Sequence, residues 1–145
     1  MTHESFQRVV PMLTYEHGAA AMDWLIQAFG FTEGTRLLGD AGRLLHGEVL
    51  AGGSRIMLAD GPDGYQSPAT LRERYGPAQQ WLDVPWIVNG VLVYVPDLDG
   101  HARRAAQAGA VILSGIEEGP PGRRYRAADV EGQRWYFFEE LPATS

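Results

Sequence analysis

The order of predicted elements in residues 1–59 recurs in residues 87–145, and this repetition limits the fold more than any single motif does. In the first half, residues 8–15 (RVVPMLTY) read as a strand, with Pro11 placing it at an edge or a bulge. A helix follows over 19–29. There Ala21, Trp24, Leu25, Ala28 and Phe29 recur at the spacing of one apolar helical stripe. Gly30 stands where a left-handed cap closes such a helix. Residues 31–38, 43–50 and 55–59 are three further strands, separated by glycine-containing turns. In the second half, 87–95 is a strand. Asp97 or Asp99 caps a helix carrying Leu98, Ala102, Ala105 and Ala106, and Gly109 ends it. Residues 110–116 form a strand, and 123–139 a closing hairpin around an Asp129–Gly132 turn. Each half is therefore β-α-β-β-β. The halves match in element order and capping glycines, not in residue identity.

Between them, residues 60–86 hold Pro62, Pro68, Pro77 and Pro85 with Gly61, Gly64 and Gly76, so no long regular element survives. A helical turn or two fits 70–75. Tyr65, Tyr75, Trp81 and Trp86 lie in the same stretch, and that aromatic density predicts an ordered lid or wrap. The organisation expected is one structural domain: a first module over 1–59, a linker over 60–86 and a second module over 87–145.

Bulk properties exclude several functions. The formal net charge of −6 argues against nucleic acid, and the pairs Arg103-Arg104 and Arg123-Arg124 are too short to build a phosphate-binding surface. An acidic surface favours cationic ligands weakly and otherwise serves solubility. Without cysteine there is no disulfide, thiolate ligand or cysteine nucleophile. No apolar run approaches the ~20 residues of a membrane span. Residues 1–7 lack the basic-then-apolar order of a signal peptide, so a cytoplasmic protein is expected. There is no phosphate-cradling glycine loop, G-x-S-x-G elbow or H-E-x-x-H helix.

Two such modules ending in a D-x-E-G-x-x-W-x-F hairpin (Asp129, Glu131, Gly132, Trp135, Phe137) resemble the vicinal oxygen chelate superfamily. This is the group of glyoxalases, bleomycin-resistance proteins and extradiol dioxygenases. The segments VVPMLTYE, AMDWLIQAFGF, RLLHGEVLAGGSRIMLADG and RYRAADVEGQRWYFFE, with a D-L-D-x-x-x-x-R-A-x-x-A-G-A helix, look most like its PhnB-like, glyoxalase-related branch. The resemblance implies an α+β fold, with two tandem βαβββ modules forming curved mixed sheets around a cup. It also implies a homodimer, often with modules paired across chains. Metal-dependent members take ligands from the first and last strands of each module. The matching positions here are Val10, Met57, Val91 and Tyr136, and their immediate neighbours are no better donors. Three or more oxygen or nitrogen donors must converge to hold a divalent metal. No metal or other cofactor is therefore expected, and Val10, Met57, Val91 and Tyr136 become either an apolar, polarisable cup floor for a flat or apolar ligand or side chains that simply fill the cup.

Three other groups carry candidate chemistry. His46 and Glu48 lie two apart on a strand and so share a face. They read as a general base with its orienting carboxylate, or, as the commoner case, as a buried polar pair. Leu45, Gly47 and Val49 are expected to pack on the first helix. Arg124 and Arg126 share parity on the closing hairpin. They could clamp a ligand carboxylate or phosphate, or form salt bridges with Glu131 or Glu139. Trp81 and Trp86 are candidates for the pocket rim, whereas Trp24, Phe29, Trp135 and Phe137 read as core. His17 and His101 are expected at the surface without partners. The leading reading is a metal-independent small-molecule binding protein of the bleomycin-resistance type. The rivals are a lyase or isomerase using His46 and Glu48, and a ligand-free dimeric interaction protein.

Overall fold

The computed structural model describes residues 6–82 and 89–141. The first half holds β1 (Met12–Tyr15), α1 (Gly18–Phe29), β2 (Thr32–Leu38), β3 (Leu44–Ala51) and β4 (Ser54–Asp60). Two short helices follow, α2 (Pro68–Arg74) and α3 (Gly76–Leu82). The second half holds β5 (Gly90–Val95), α4 (Leu98–Gln107), β6 (Val111–Glu117), β7 (Arg124–Ala128) and β8 (Arg134–Glu139). Among the described residues, no helix is long and apolar enough to cross a membrane.

Each half builds one mixed four-stranded sheet, ordered β1-β4-β3-β2 and β5-β8-β7-β6. In both, the first strand pairs in parallel with the last, and the remaining pairs are antiparallel. The expected α+β repeat is therefore present. Its details differ from expectation in two places. β1 begins only at Met12, because Pro11 has no N–H to donate to the ladder; its carbonyl still accepts from Met57 N–H at 2.9 Å. The linker is more regular than its proline content suggested. Ser67 accepts the Thr70 N–H at 3.3 Å and Pro68 stands at the first helical position, so α2 starts with a side-chain cap and a proline preset for helix.

The two sheets share one core. On β8 and β5, Trp135, Phe137, Val93 and Val95 are buried. They meet Phe29 and Phe31 from the end of α1 and Leu98 and Ala105 from α4. Phe29 is the hub, with ring centroids 4.7 Å from Phe137, 5.1 Å from Trp24 and 5.5 Å from Trp135. Trp24 Nε1 donates to Ala108 O and Arg104 Nε to Gln27 O, which ties α1 to α4. Gly47 lets α1 lie close on β3: a Cβ there would sit 2.5 Å from the Met22 sulfur. Both sheets thus turn their helix-bearing faces to a common interior. Their other faces point away from it, on opposite sides of the chain.

Candidate functional site

The β7–β8 turn joins the modules. Asp129 is buried and accepts from Tyr15 Oη at 2.6 Å, Trp135 Nε1 at 3.0 Å and the N–H groups of Glu131 and Gln133 at 3.0 Å. All four partners are donors, the complement of an ionised carboxylate. Burial nevertheless raises the Asp129 carboxyl above its ordinary value, and burial followed by the Asp129 charge holds the Tyr15 phenol well above its own. Glu131 accepts from the N–H groups of Glu16 and His17 at 2.6 and 2.8 Å, at the entrance to α1, where no side chain of the helix's own caps it. Its backbone carbonyl takes the Ala69 N–H of α2 at 2.9 Å. Gly132 makes this approach possible, with φ +88° and Ala69 N only 2.7 Å from where a Cβ would stand. Glu16 extends the clasp to the linker: hydrogen bonds from Ser67 and Thr70 lower its carboxyl to about 2. The acidic residues of the D-x-E-G turn therefore hold modules together. Glu131 is not the arginine partner that its position on the hairpin suggested.

The open face of the first sheet carries His46, Glu48, Arg55 and Met57. Glu48 pairs in register with Met57, and Met57 with Met12, so all three project to the same side. His46 Nε2 lies 3.2 Å from Glu48 Oε2, and Arg55 Nη1 lies 3.4 Å from the same oxygen. Glu48 is buried and His46 half-buried. As expected, Gly47 and Val49 face α1. Leu45 does not: it is 50% exposed and covers Gly39 at the end of the hairpin, because β2 and β3 change register there. Val10 precedes β1 and is half-buried; the residue beside Met57 is Met12.

The open face of the second sheet carries Leu92 and Tyr94 from β5, Tyr136 and Phe138 from β8, and Arg124 and Arg126 from β7. Leu92 registers with Tyr136, whereas Val91 registers with Trp135. Val91 therefore lies on the opposite face from Tyr136, and the β5 residue beside Tyr136 is Leu92. A one-residue offset is enough to exchange faces. Val91 instead lines a groove of about 980 Å³ along the free edge of β5, with Phe31, Arg55, His101 and Arg104. On the open face, a cavity of about 200 Å³ is lined by Leu92, Arg124, Arg126, Tyr136 and Phe138. Arg126 Nη1 is 2.7 Å from Glu117 Oε1, and Arg124 Nη2 is 3.7 Å from Glu117 Oε2. Arg124 Nη1 also donates to Gly122 O at 2.9 Å, while Glu139 pairs with Arg123 instead.

Sequence reasoning missed Glu117, Arg55, Leu92 and Tyr94. Glu117 and Arg55 lie on neighbouring strands, and only register pairs them with the arginines and the His46–Glu48 couple. Trp86 lies outside the described residues. Trp81 belongs to α3, with its side chain outside the described part. Among the described residues, no group of three or more His, Cys, Asp or Glu side chains could hold a metal ion.

His101 differs from its expectation as an exposed, unpartnered histidine. Its Nε2 is 2.8 Å from the Phe29 carbonyl, which can only accept, so Nε2 carries the hydrogen. Nδ1 is then the acceptor for the Tyr125 hydroxyl. Burial lowers the His101 pKa below its ordinary value of 6.5. The unfolded chain therefore binds a proton that the folded chain resists, and stability falls as pH drops from about 6.5 toward the folded pKa. Thermal melts between pH 7.5 and 5 are expected to show this loss, and His101→Gln to flatten it. An unchanged slope in the variant would assign the loss to other groups.

Comparison with known proteins gives the class of fold. No family model matches the chain. An uncharacterized protein of Mycobacterium bovis is 28% identical over 126 residues, spanning 86% of this chain and 78% of that protein. TioX from Micromonospora sp. ML1 matches in structure with a TM-score of 0.67 at 28% identity, covering 96% of this chain and 100% of TioX. The bleomycin-binding protein of the bleomycin-producing Streptomyces verticillus, solved with copper(II)-bleomycin, matches with a TM-score of 0.58 at 19% identity, covering 96% of this chain and 100% of that one. The chain has the glyoxalase/bleomycin-resistance fold.

Proposed function

We propose that the chain is a metal-independent small-molecule binding protein of the glyoxalase/bleomycin-resistance type and, on its sequence motifs, of the PhnB-like branch. It works as a homodimer. The open face of the first sheet on one subunit meets the open face of the second sheet on its partner, and the two enclose a partly aromatic or apolar ligand. Met57, Leu92 and Tyr136 form the floor, with Arg124 and Arg126 to one side. The observation that carries this reading is the pair of uncovered faces on opposite sides of one core. Met12 is 76% exposed, Tyr94 61% and Leu92 47%. Fully burying a side chain of this kind gains about 1.5–3 kcal/mol, and large apolar patches mark interaction surfaces or ligand grooves. The bleomycin-binding protein supports the reading, because the same architecture there accompanies a bound drug.

Sedimentation, together with a Trp-fluorescence titration across a panel of planar aromatic compounds, tests the proposal. A dimer with a saturable fluorescence change is expected. A monomer that no aromatic perturbs would sink it. A dimer silent to the whole panel would point to an interaction protein without a ligand. A lyase or isomerase reading draws on the His46–Glu48 contact of 3.2 Å, the spacing of a base and its orienting carboxylate. It requires a turnover that His46→Ala abolishes.

A further inference from the structure

We infer that the ligand of the second sheet's open face is an aromatic acid: a planar ring bearing a carboxylate or an ionised phenol. This rests on the binding reading above and adds its chemistry. The chain as a whole is acidic, at −6, yet this face reverses the sign. Arg124 and Arg126 both turn to one carboxylate, Glu117, which is 3.7 and 2.7 Å from them. Along β5 to β8, Glu117 is the one acidic side chain on this face. Glu139 shares the parity of Trp135 and Phe137 and pairs with Arg123 on the other side. Two guanidinium groups against one carboxylate leave a net positive charge at the wall of the cavity. The first sheet's face shows no such excess, because Glu48 is matched there by Arg55 at 3.4 Å.

The rest of the cavity suits a ring. Leu92, Phe138 and Tyr136 line it, and the Arg126 guanidinium carbon stands 5.7 Å from the Tyr136 ring centroid. A guanidinium over a tyrosine face presents its remaining N–H edge in one plane. An apolar cavity of about 150 Å³ accepts benzene, so the observed volume of about 200 Å³ holds one ring with a substituent. Arg124 is already fixed by its bond to the Gly122 carbonyl at 2.9 Å, so little side-chain freedom is lost when an anion arrives. The oxyanion then sits between the two guanidinium groups beside Glu117, and the ring lies along Tyr136.

Three probes of one shape separate the possibilities: benzoate, its neutral analogue benzamide and the cation benzylammonium. They are titrated against the full chain by Trp fluorescence or calorimetry. Benzoate is expected to bind at least tenfold more tightly than the amide, and the cation more weakly than either. Raising NaCl from about 20 to about 300 mM should erode the preference. Arg126→Gln should erase it, so that acid and amide bind alike. Glu117→Gln, which removes the competing carboxylate, should strengthen benzoate binding severalfold; circular dichroism checks that both variants fold. Equal binding of acid and amide, tighter binding of the cation, or a preference surviving in Arg126→Gln overturns the aromatic-acid inference and leaves the binding reading standing. Failure of all three probes while other aromatics of the panel bind overturns the inference alone; silence of these probes and of the whole panel overturns both.

Discussion

Asp129→Ala is expected to leave the chain largely unfolded or insoluble at room temperature. Asp129 is 4% exposed, and four donors depend on it: the Tyr15 hydroxyl, the Trp135 indole and the N–H groups of Glu131 and Gln133. Removing the carboxylate strands them in the interior. Each unsatisfied buried donor costs about 1–3 kcal/mol. A domain whose whole stability is about 5–15 kcal/mol does not survive several such losses well. The damage also spreads, because the same turn positions Glu131 at the start of α1. Tyr15→Phe is the graded comparison. It removes one donor, leaves three, and should lower stability by about 1–2 kcal/mol. Urea denaturation of both variants reads the difference. An Asp129→Ala protein with a wild-type midpoint would show that the clasp contributes nothing.

Phe29→Ala comes next, with an expected loss of about 3–5 kcal/mol. Phe29 is 2% exposed, and its ring touches aromatic side chains of both modules, Trp24 on one side and Trp135 and Phe137 on the other. The void left behind lies at the joint between α1 and the second sheet, where the backbone is held by His101 on the Phe29 carbonyl and cannot collapse freely. Near-UV circular dichroism of the tryptophans should weaken along with the melting temperature. The contrast is Val130→Ala on the closing hairpin, 53% exposed and expected within about 0.5 kcal/mol of wild type. Comparable losses in the two variants would remove Phe29 from its place as hub.

Much of the fold was legible because it rests on local signals. The apolar stripe of Ala21, Leu25, Ala28 and Phe29 named α1 and its buried face, and Gly30 closed it with φ +75°. Strand parity put His46 and Glu48 together, Arg124 and Arg126 together, and Trp135 and Phe137 in the core. Three readings failed where the deciding fact was not local. The motif places Val91 beside Tyr136, but a parallel ladder has no turn to fix its register, and Leu92 is the residue that pairs there. Glu131 looked like a salt-bridge partner for its neighbours in sequence, yet it serves the N–H groups of Glu16 and His17 from the other module. His101 looked exposed on a polar helix, and became half-buried only when α4 packed against the end of α1.

The sequence by itself determined the repeat, its strands and helices, the buried faces of those helices and the residue types available to a ligand, all of which follow from period, caps and parity. Tertiary structure decided which faces are left open. A module read alone has one apolar helix-bearing face and one amphipathic face, and nothing in its own residues says what covers either. Docking the two helix-bearing faces on Phe29, Trp135 and Phe137 consumed both. The His46–Glu48 face and the Arg124–Arg126 face were left on opposite sides of the chain, because a sheet that buries one face in a shared core must turn the other away from it.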